Sequence, residues 1–162
     1  MISLKKRNQG FTIVELLIVI VVIGILALLV ITTYSGIQAK ARNAKRSSDV
    51  KSLQTQIEAF FSQNGYYPSL GDLNGSAWRT TNMKSLDSNA LVDPSENSGC
   101  LGTNNCLVSS AQAKAYSYAV TDSSGNSCEG AGNDVNCAKY TLTATFEGTV
   151  NGQSTAVAQN LD

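Results

Sequence analysis

An α+β fold, with one long N-terminal helix packed on a small antiparallel β-sheet head domain, is what the 162-residue sequence predicts. Three observations carry it. Residues 11–31 form one unbroken apolar run, residues 32–63 continue in helix-forming residues without a proline, and from Gly65 onward the chain turns to Gly, Ser, Asn, Thr and Asp with short alternating islands. The 12 basic and 12 acidic residues cancel, but unevenly: residues 1–51 carry eight Lys/Arg against two acids, and residues 52–162 carry four against ten. A mean hydropathy of −0.05 conceals that split. With no histidine in the chain, a Ser-His-Asp triad, a Cys-His pair and an imidazole zinc site are all excluded.

The apolar run, Phe11 to Ile31, has 21 residues and one charge, Glu15. As a helix it spans about 30 Å, enough to cross a bilayer core. It is apolar on every side, unlike the core helix of a soluble protein, and far too long for a strand. It also exceeds the apolar stretch of about 7–15 residues in a secretory signal, and Thr32-Thr33-Tyr34-Ser35 is a poor cleavage site. Lys5-Lys6-Arg7 precede the run, and Lys40, Arg42, Lys45 and Arg46 follow it. Charge on both sides leaves the orientation open.

Gly10-Phe11-Thr12-Ile13-Val14-Glu15, with a basic leader before it and the apolar run after it, resembles the N-terminus of type IV pilins and type II secretion pseudopilins. The resemblance implies that residues 1–10 are a cytoplasmic leader removed by a prepilin peptidase between Gly10 and Phe11. It further implies that Phe11 becomes N-methylated and that Glu15 is the family's glutamate. The chemistry of the residues agrees. Glycine lets extended backbone enter a narrow protease cleft. An acid in a first helical turn gains about 0.3–1 kcal/mol from the helix dipole, whereas a charge at mid-bilayer costs about 2.5–3.5 kcal/mol. The amine created at Phe11 by cleavage would be the counter-ion of Glu15 in an assembly charge pair.

Ile37, Ala41, Ala44, Leu53, Ile57 and Phe60/Phe61 recur at roughly helical spacing, so residues 32–63 read as the amphipathic half of the same helix. Asn64-Gly65 supplies its stop. From about Thr12 to Gln63 that helix would measure about 78 Å, its amphipathic half against the head and its apolar half protruding into lipid, then into other subunits. Many family members have a proline near the distal end of the apolar run; Thr32 and its neighbours offer none. The basic segment Lys40, Arg42, Lys45, Arg46 has no interleaved aromatics, so DNA binding is not supported. It reads as a solvated or subunit-facing surface, or a contact with lipid head groups.

Residues 64–162 read as an extracytoplasmic head. Thr81 to Asn89 is predicted as a short helix with Met83 and Leu86 inward, Leu91–Pro94 as a turn, and 115–120, 140–147 and 154–158 as strands, with Gly148–Gly152 as a turn. The order Asn64-Gly65-Tyr66-Tyr67-Pro68, Leu91-Val92-Asp93-Pro94, Tyr116-Ser117-Tyr118, Tyr140-Thr141-Leu142-Thr143-Ala144 extends the resemblance to pilin and pseudopilin heads. Cys100, Cys106, Cys128 and Cys137 allow three pairings. Small loops favour Cys100–Cys106 and Cys128–Cys137. Disulfides place the head in an oxidising space and the N-terminus in the cytoplasm. No cofactor is expected, and no metal site, although the oxygen-rich stretch Asp122–Asp134 has ligands enough for calcium. Asn74-Gly75-Ser76 matches a glycosylation sequon.

No nucleophile–base pair, phosphate loop, metal cluster or paired carboxylates stand at informative spacing, so an enzyme is not expected. The expected function is that of a structural subunit of a type IV pilus, polymerising through its apolar helix into a homo-oligomeric helical filament. The implied partners are the prepilin peptidase, an assembly platform and other pilins. The implied path runs from a single-pass precursor in the cytoplasmic (inner) membrane, head out, to an extracellular pilus. The alternatives are a pseudopilin of a type II secretion or competence system, in the periplasm or cell envelope, and, more remotely, a single-anchor binding module.

Overall fold

The structure, a computed structural model, describes residues 10–95, 106–130 and 137–161. The chain divides into two compact units, Met1–Gln38 and Ala39–Asp162. Helix α1, Ile13–Asn64, contributes residues to both. It ends as predicted: Gly65 has φ +78° and its N–H donates to the Phe61 carbonyl, the left-handed cap that glycine adopts without strain.

In the second unit, α1 is followed by α2 (Leu70–Asn74), α3 (Ser76–Asn82) and a 3-10 turn at Ser88–Leu91. A four-stranded sheet then runs in the order β1-β2-β3-β4: Leu107–Val108, Tyr116–Asp122, Cys137–Val150 and Gln153–Gln159. The three longer strands form the expected antiparallel meander, with Tyr118 opposite Leu142 and Leu142 opposite Ala158. The two-residue β1 was not foreseen, and it pairs parallel to β2, which makes the sheet mixed. Between β3 and β4 the turn is narrower than predicted. Only Asn151 (φ +52°) and Gly152 (φ +80°) form it, the Asn-Gly pair whose twist suits a two-residue hairpin. Gly148 instead lies within β3, at a shift of register between Thr145 and Val150.

The helical content between residues 70 and 91 differs from expectation. Thr81–Asn89 is not one helix: Thr81 and Asn82 end α3, residues 83–87 are irregular, and Ser88 and Asn89 open the 3-10 turn. The Ser69 hydroxyl accepts from the Asp72 N–H and caps α2, a local signal that apolar spacing does not register. Met83 is nevertheless buried, and Leu86 packs on the core.

The core forms where Val50, Leu53, Ile57 and Phe60 of α1 meet Tyr67, Leu73, Leu91, Tyr118, Tyr140, Leu142 and Ala144. Tyrosines of the motifs converge: Tyr67 stacks on Phe61 at 4.3 Å and meets Tyr140 edge-on at 4.8 Å. Buried phenols find partners. Tyr116 donates to Asp49, Tyr118 to the Pro68 carbonyl, and Tyr140 to Glu58. Burial first, and the neighbouring carboxylates second, push the Tyr116 and Tyr140 hydroxyls above their ordinary range.

The buried face of α1 runs Asn43, Arg46, Val50, Leu53, Ile57, Phe60, while Ile37, Ala41 and Ala44 are exposed. The predicted apolar stripe thus holds from Leu53 onward and is replaced upstream by polar residues. Arg46, read from the sequence as part of a solvated basic surface, is 1% exposed. All of its N–H groups are engaged. Nε and Nη2 clamp Asp93 at 2.6 and 2.9 Å, Nη2 also meets Ser95, and Nη1 serves Asn43 and Glu147. Arg42 holds Glu147 through both carboxylate oxygens, and Lys45 pairs with Asp49. Asn43 donates its amide to the Glu147 carbonyl and accepts from the Glu147 N–H.

Arg42 first, then Arg46 and Ser95, hold the Glu147 carboxyl down to about 2, against an ordinary 4.5. A folded-state value below the unfolded one stabilises fully above pH 4.5 and is lost as pH falls towards 2. Glu147 is 35% exposed, so solvent limits the effect to about 1 kcal/mol. Urea unfolding of the wild type and Glu147→Gln should therefore differ at pH 6 and converge near pH 2. A difference unchanged over that interval would argue against the pairing.

Candidate functional site: the N-terminal segment of the long helix

Gly10 and Phe11 precede the first residue of α1, and both are exposed; Phe11 is 87% so. Gly10 has open space around it. Thr12 stands at the helix start. Its N–H and its hydroxyl both donate to Glu15 Oε2, each at 2.8 Å, and its hydroxyl accepts from the Glu15 N–H at 3.2 Å. This is a reciprocal capping box, which satisfies N–H groups that a helix end leaves without partners. From the sequence Glu15 reads as a dipole residue and as a counter-ion, and Thr12 only as part of the motif, not as the cap. The Thr12-x-x-Glu15 spacing was the available signal. Glu15 Oε1 takes part in no hydrogen bond among the described residues, so the cap occupies one oxygen and leaves the other.

After Glu15 the helix displays Leu16, Leu17, Ile18, Ile20, Ile23, Leu26, Leu29 and Ile31 at 55–67% exposure. An 18-residue window reaches a mean hydropathy of 3.4, and none of it is buried. By length and composition it is long and apolar enough to cross a membrane. Leu26, Leu29, Val30, Tyr34 and Ile37 line a shallow apolar depression. A surface of this kind marks contact with lipid or with other apolar chains.

The cysteines lie in the second unit. Cys128 is bonded to Cys137, with Cα atoms 6.1 Å apart. Cys106 is buried and disulfide-bonded; Cys100 lies outside the described residues. In the oxygen-rich stretch considered for calcium, the Asp122 carboxylate accepts from the Ser124 and Asn126 N–H groups and from the Asn126 amide. It therefore closes its own turn; Asp134 lies outside the described residues. Asn74, in the sequon, is buried and exchanges two hydrogen bonds with the Leu107 backbone, so its amide nitrogen is not presented for glycosylation.

Residues 5–31 match the family described as the prokaryotic N-terminal methylation motif. The chain is 37% identical over 65 residues to a type II secretion system core protein G of Dickeya chrysanthemi, covering 40% of this chain and 42% of that one. It is 37% identical over 73 residues to the type IV major pilin protein PilA of Myxococcus xanthus (strain DK1622), covering 45% and 33%. To a core protein G of Pectobacterium carotovorum subsp. carotovorum it is 40% identical over 63 residues, covering 39% and 40%. No solved structure matches the chain. The chain spans less than half the length of these curated relatives. Its resemblance to type IV pilins and type II secretion pseudopilins is borne out by the motif and by both kinds of relative.

Proposed function

We propose that this protein is a structural subunit of a type IV pilus, made as a membrane precursor and polymerised through residues 11–31 of its long helix. The observation that carries the reading is the methylation motif over residues 5–31, with a single carboxylate in an otherwise uncharged apolar helix. A prepilin peptidase cuts between Gly10 and Phe11 and methylates the new amine. The precursor sits in the inner membrane with its leader in the cytoplasm and residues 64–162 outside, where Cys128–Cys137 and Cys100–Cys106 are oxidised. An assembly platform then moves it, with other pilins, into the filament. The head is a structural body, not an enzyme.

Mass spectrometry of the membrane and filament fractions is expected to find a mature chain that begins at Phe11 with one added methyl group. A chain beginning at Met1, or after Ser35, would sink the reading. A second reading, a type II secretion pseudopilin, is favoured by relatives described as core protein G of that system. Imaging of surface filaments with the labelled subunit separates the two. Long labelled pili support the first; their absence, together with lost protein secretion on deletion, supports the second.

A further inference from the structure

The two buried arginines of the second unit are used very differently. Arg46 employs every N–H it has. The guanidinium of Arg79, on α3 and 6% exposed, makes one hydrogen bond among the described residues, from Nη1 to the Leu73 carbonyl at 2.5 Å. Its Nε is buried without a partner, and its Nη2 donates to no described residue. Nε and Nη2 form the edge with which Arg46 grips the Asp93 carboxylate. On Arg79 the same edge is empty.

A buried cation without a counter-charge is costly, and arginine does not escape by losing its proton. Burial pushes the Arg79 guanidinium below its ordinary value, with no carboxylate among the described residues to offset it. Arg79 lines a pocket of about 360 Å³ together with Thr80, Met83, Lys84, Leu86 and Ser88. No acid lines it. Thr80 spends its hydroxyl on the Ser76 carbonyl, and Asp87, which does not line the pocket, receives the Asn89 N–H and amide on Oδ1. The Arg79 guanidinium, a mobile ammonium on the exposed Lys84 and the Ser88 hydroxyl therefore border one pocket, with Nη2 the nitrogen left to meet a ligand, since Nε is enclosed.

We propose that this pocket is an oxyanion-binding site, in which Arg79 and Lys84 together receive a carboxylate or a phosphate group. Nη2 offers one oxygen of either group a charge-assisted hydrogen bond. Lys84 adds charge without fixing direction. The ligand is then either an acidic side chain of a neighbouring chain or a small phosphate-bearing molecule, and the two ions below separate these sources.

The four arginines give four Nε–H signals in nitrogen-15 spectra of the full chain in detergent micelles, and Arg79→Lys identifies the one belonging to Arg79. Sodium acetate and sodium phosphate are titrated against sodium chloride at matched ionic strength. The Arg79 signal should move and saturate with a Kd of about 1–10 mM, while chloride leaves it in place. Tighter acetate binding assigns the site to a carboxylate, and tighter phosphate binding to a phosphate. Lys84→Gln, at an exposed position, should keep the spectrum and weaken binding about threefold. A signal that stays still, moves equally in chloride, or binds as tightly in Lys84→Gln overturns the two-cation site.

Discussion

Cells producing Glu15→Val in place of the wild-type chain are expected to cleave and insert the subunit normally and to build no filaments. Valine makes the helix more apolar, so bilayer insertion improves and failure to insert cannot explain the loss. What is removed is the proposed partner of the Phe11 amine. In a filament core water is scarce, and an unpaired charge there costs several kcal/mol. A mismatch of about 3 kcal/mol at each addition is about a hundredfold, enough to stop polymerisation. The cap supplies a discriminating control. Glutamine at the same position preserves a capping box but carries no charge. Glu15→Gln should therefore keep the helix start and still fail to assemble. Electron microscopy counts decide it. Normal filaments in Glu15→Gln with none in Glu15→Val would leave Glu15 as a capping residue, and normal filaments in both would remove it from assembly altogether.

The second large effect lies in the second unit. Asp93→Ala should destabilise the full chain by about 3–5 kcal/mol, because it leaves the Arg46 guanidinium buried without its main counter-charge. For a chain of this size that is a fall in Tm of about 10–20 °C. The double variant Arg46→Met, Asp93→Leu should recover most of the loss, since a buried ion pair adds little over apolar groups of similar volume. Thermal melting followed by near-ultraviolet circular dichroism in detergent tests both. A fall below about 2 °C for Asp93→Ala would mean that water reaches the pair.

Much of this fold was legible in the sequence because its signals are local. The apolar run, the absence of proline and the Asn64-Gly65 stop place α1 to within a residue at each end. Alternation places β2, β3 and β4, and Gly10 to Glu15 fall within the matched methylation motif. The rest depends on pairs far apart in the chain. Arg46 looks solvated until Asp93, 47 residues away, is folded against it. The Leu91–Pro94 turn gave no hint that its aspartate would be 2% exposed. Apolar spacing passed over Asn43 because a buried amide has the composition of a surface. The segments α2 and α3 are too short for a helical period to show, and β1 is shorter still. The Arg79 pocket could not be read at all, because a guanidinium nitrogen without a partner is seen only once the surrounding fold is placed.

The amides of Asn43 and Asn74 have a consequence for how tolerant the second unit is of sliding. Each gives one hydrogen bond to a backbone carbonyl and takes one from the N–H of the same residue, Glu147 for Asn43 and Leu107 for Asn74. Each thus supplies a single rung of a strand that is not there. Apolar side chains repeating every three or four residues would let a helix slip by one turn and pack nearly as well. A rung cannot slip, because a donor and an acceptor must both meet their counterparts at one residue. Aspartate has no donor to offer and leucine neither group, so the amide works as a detent: the oily surface supplies the grip, and a pair of hydrogen bonds selects the notch.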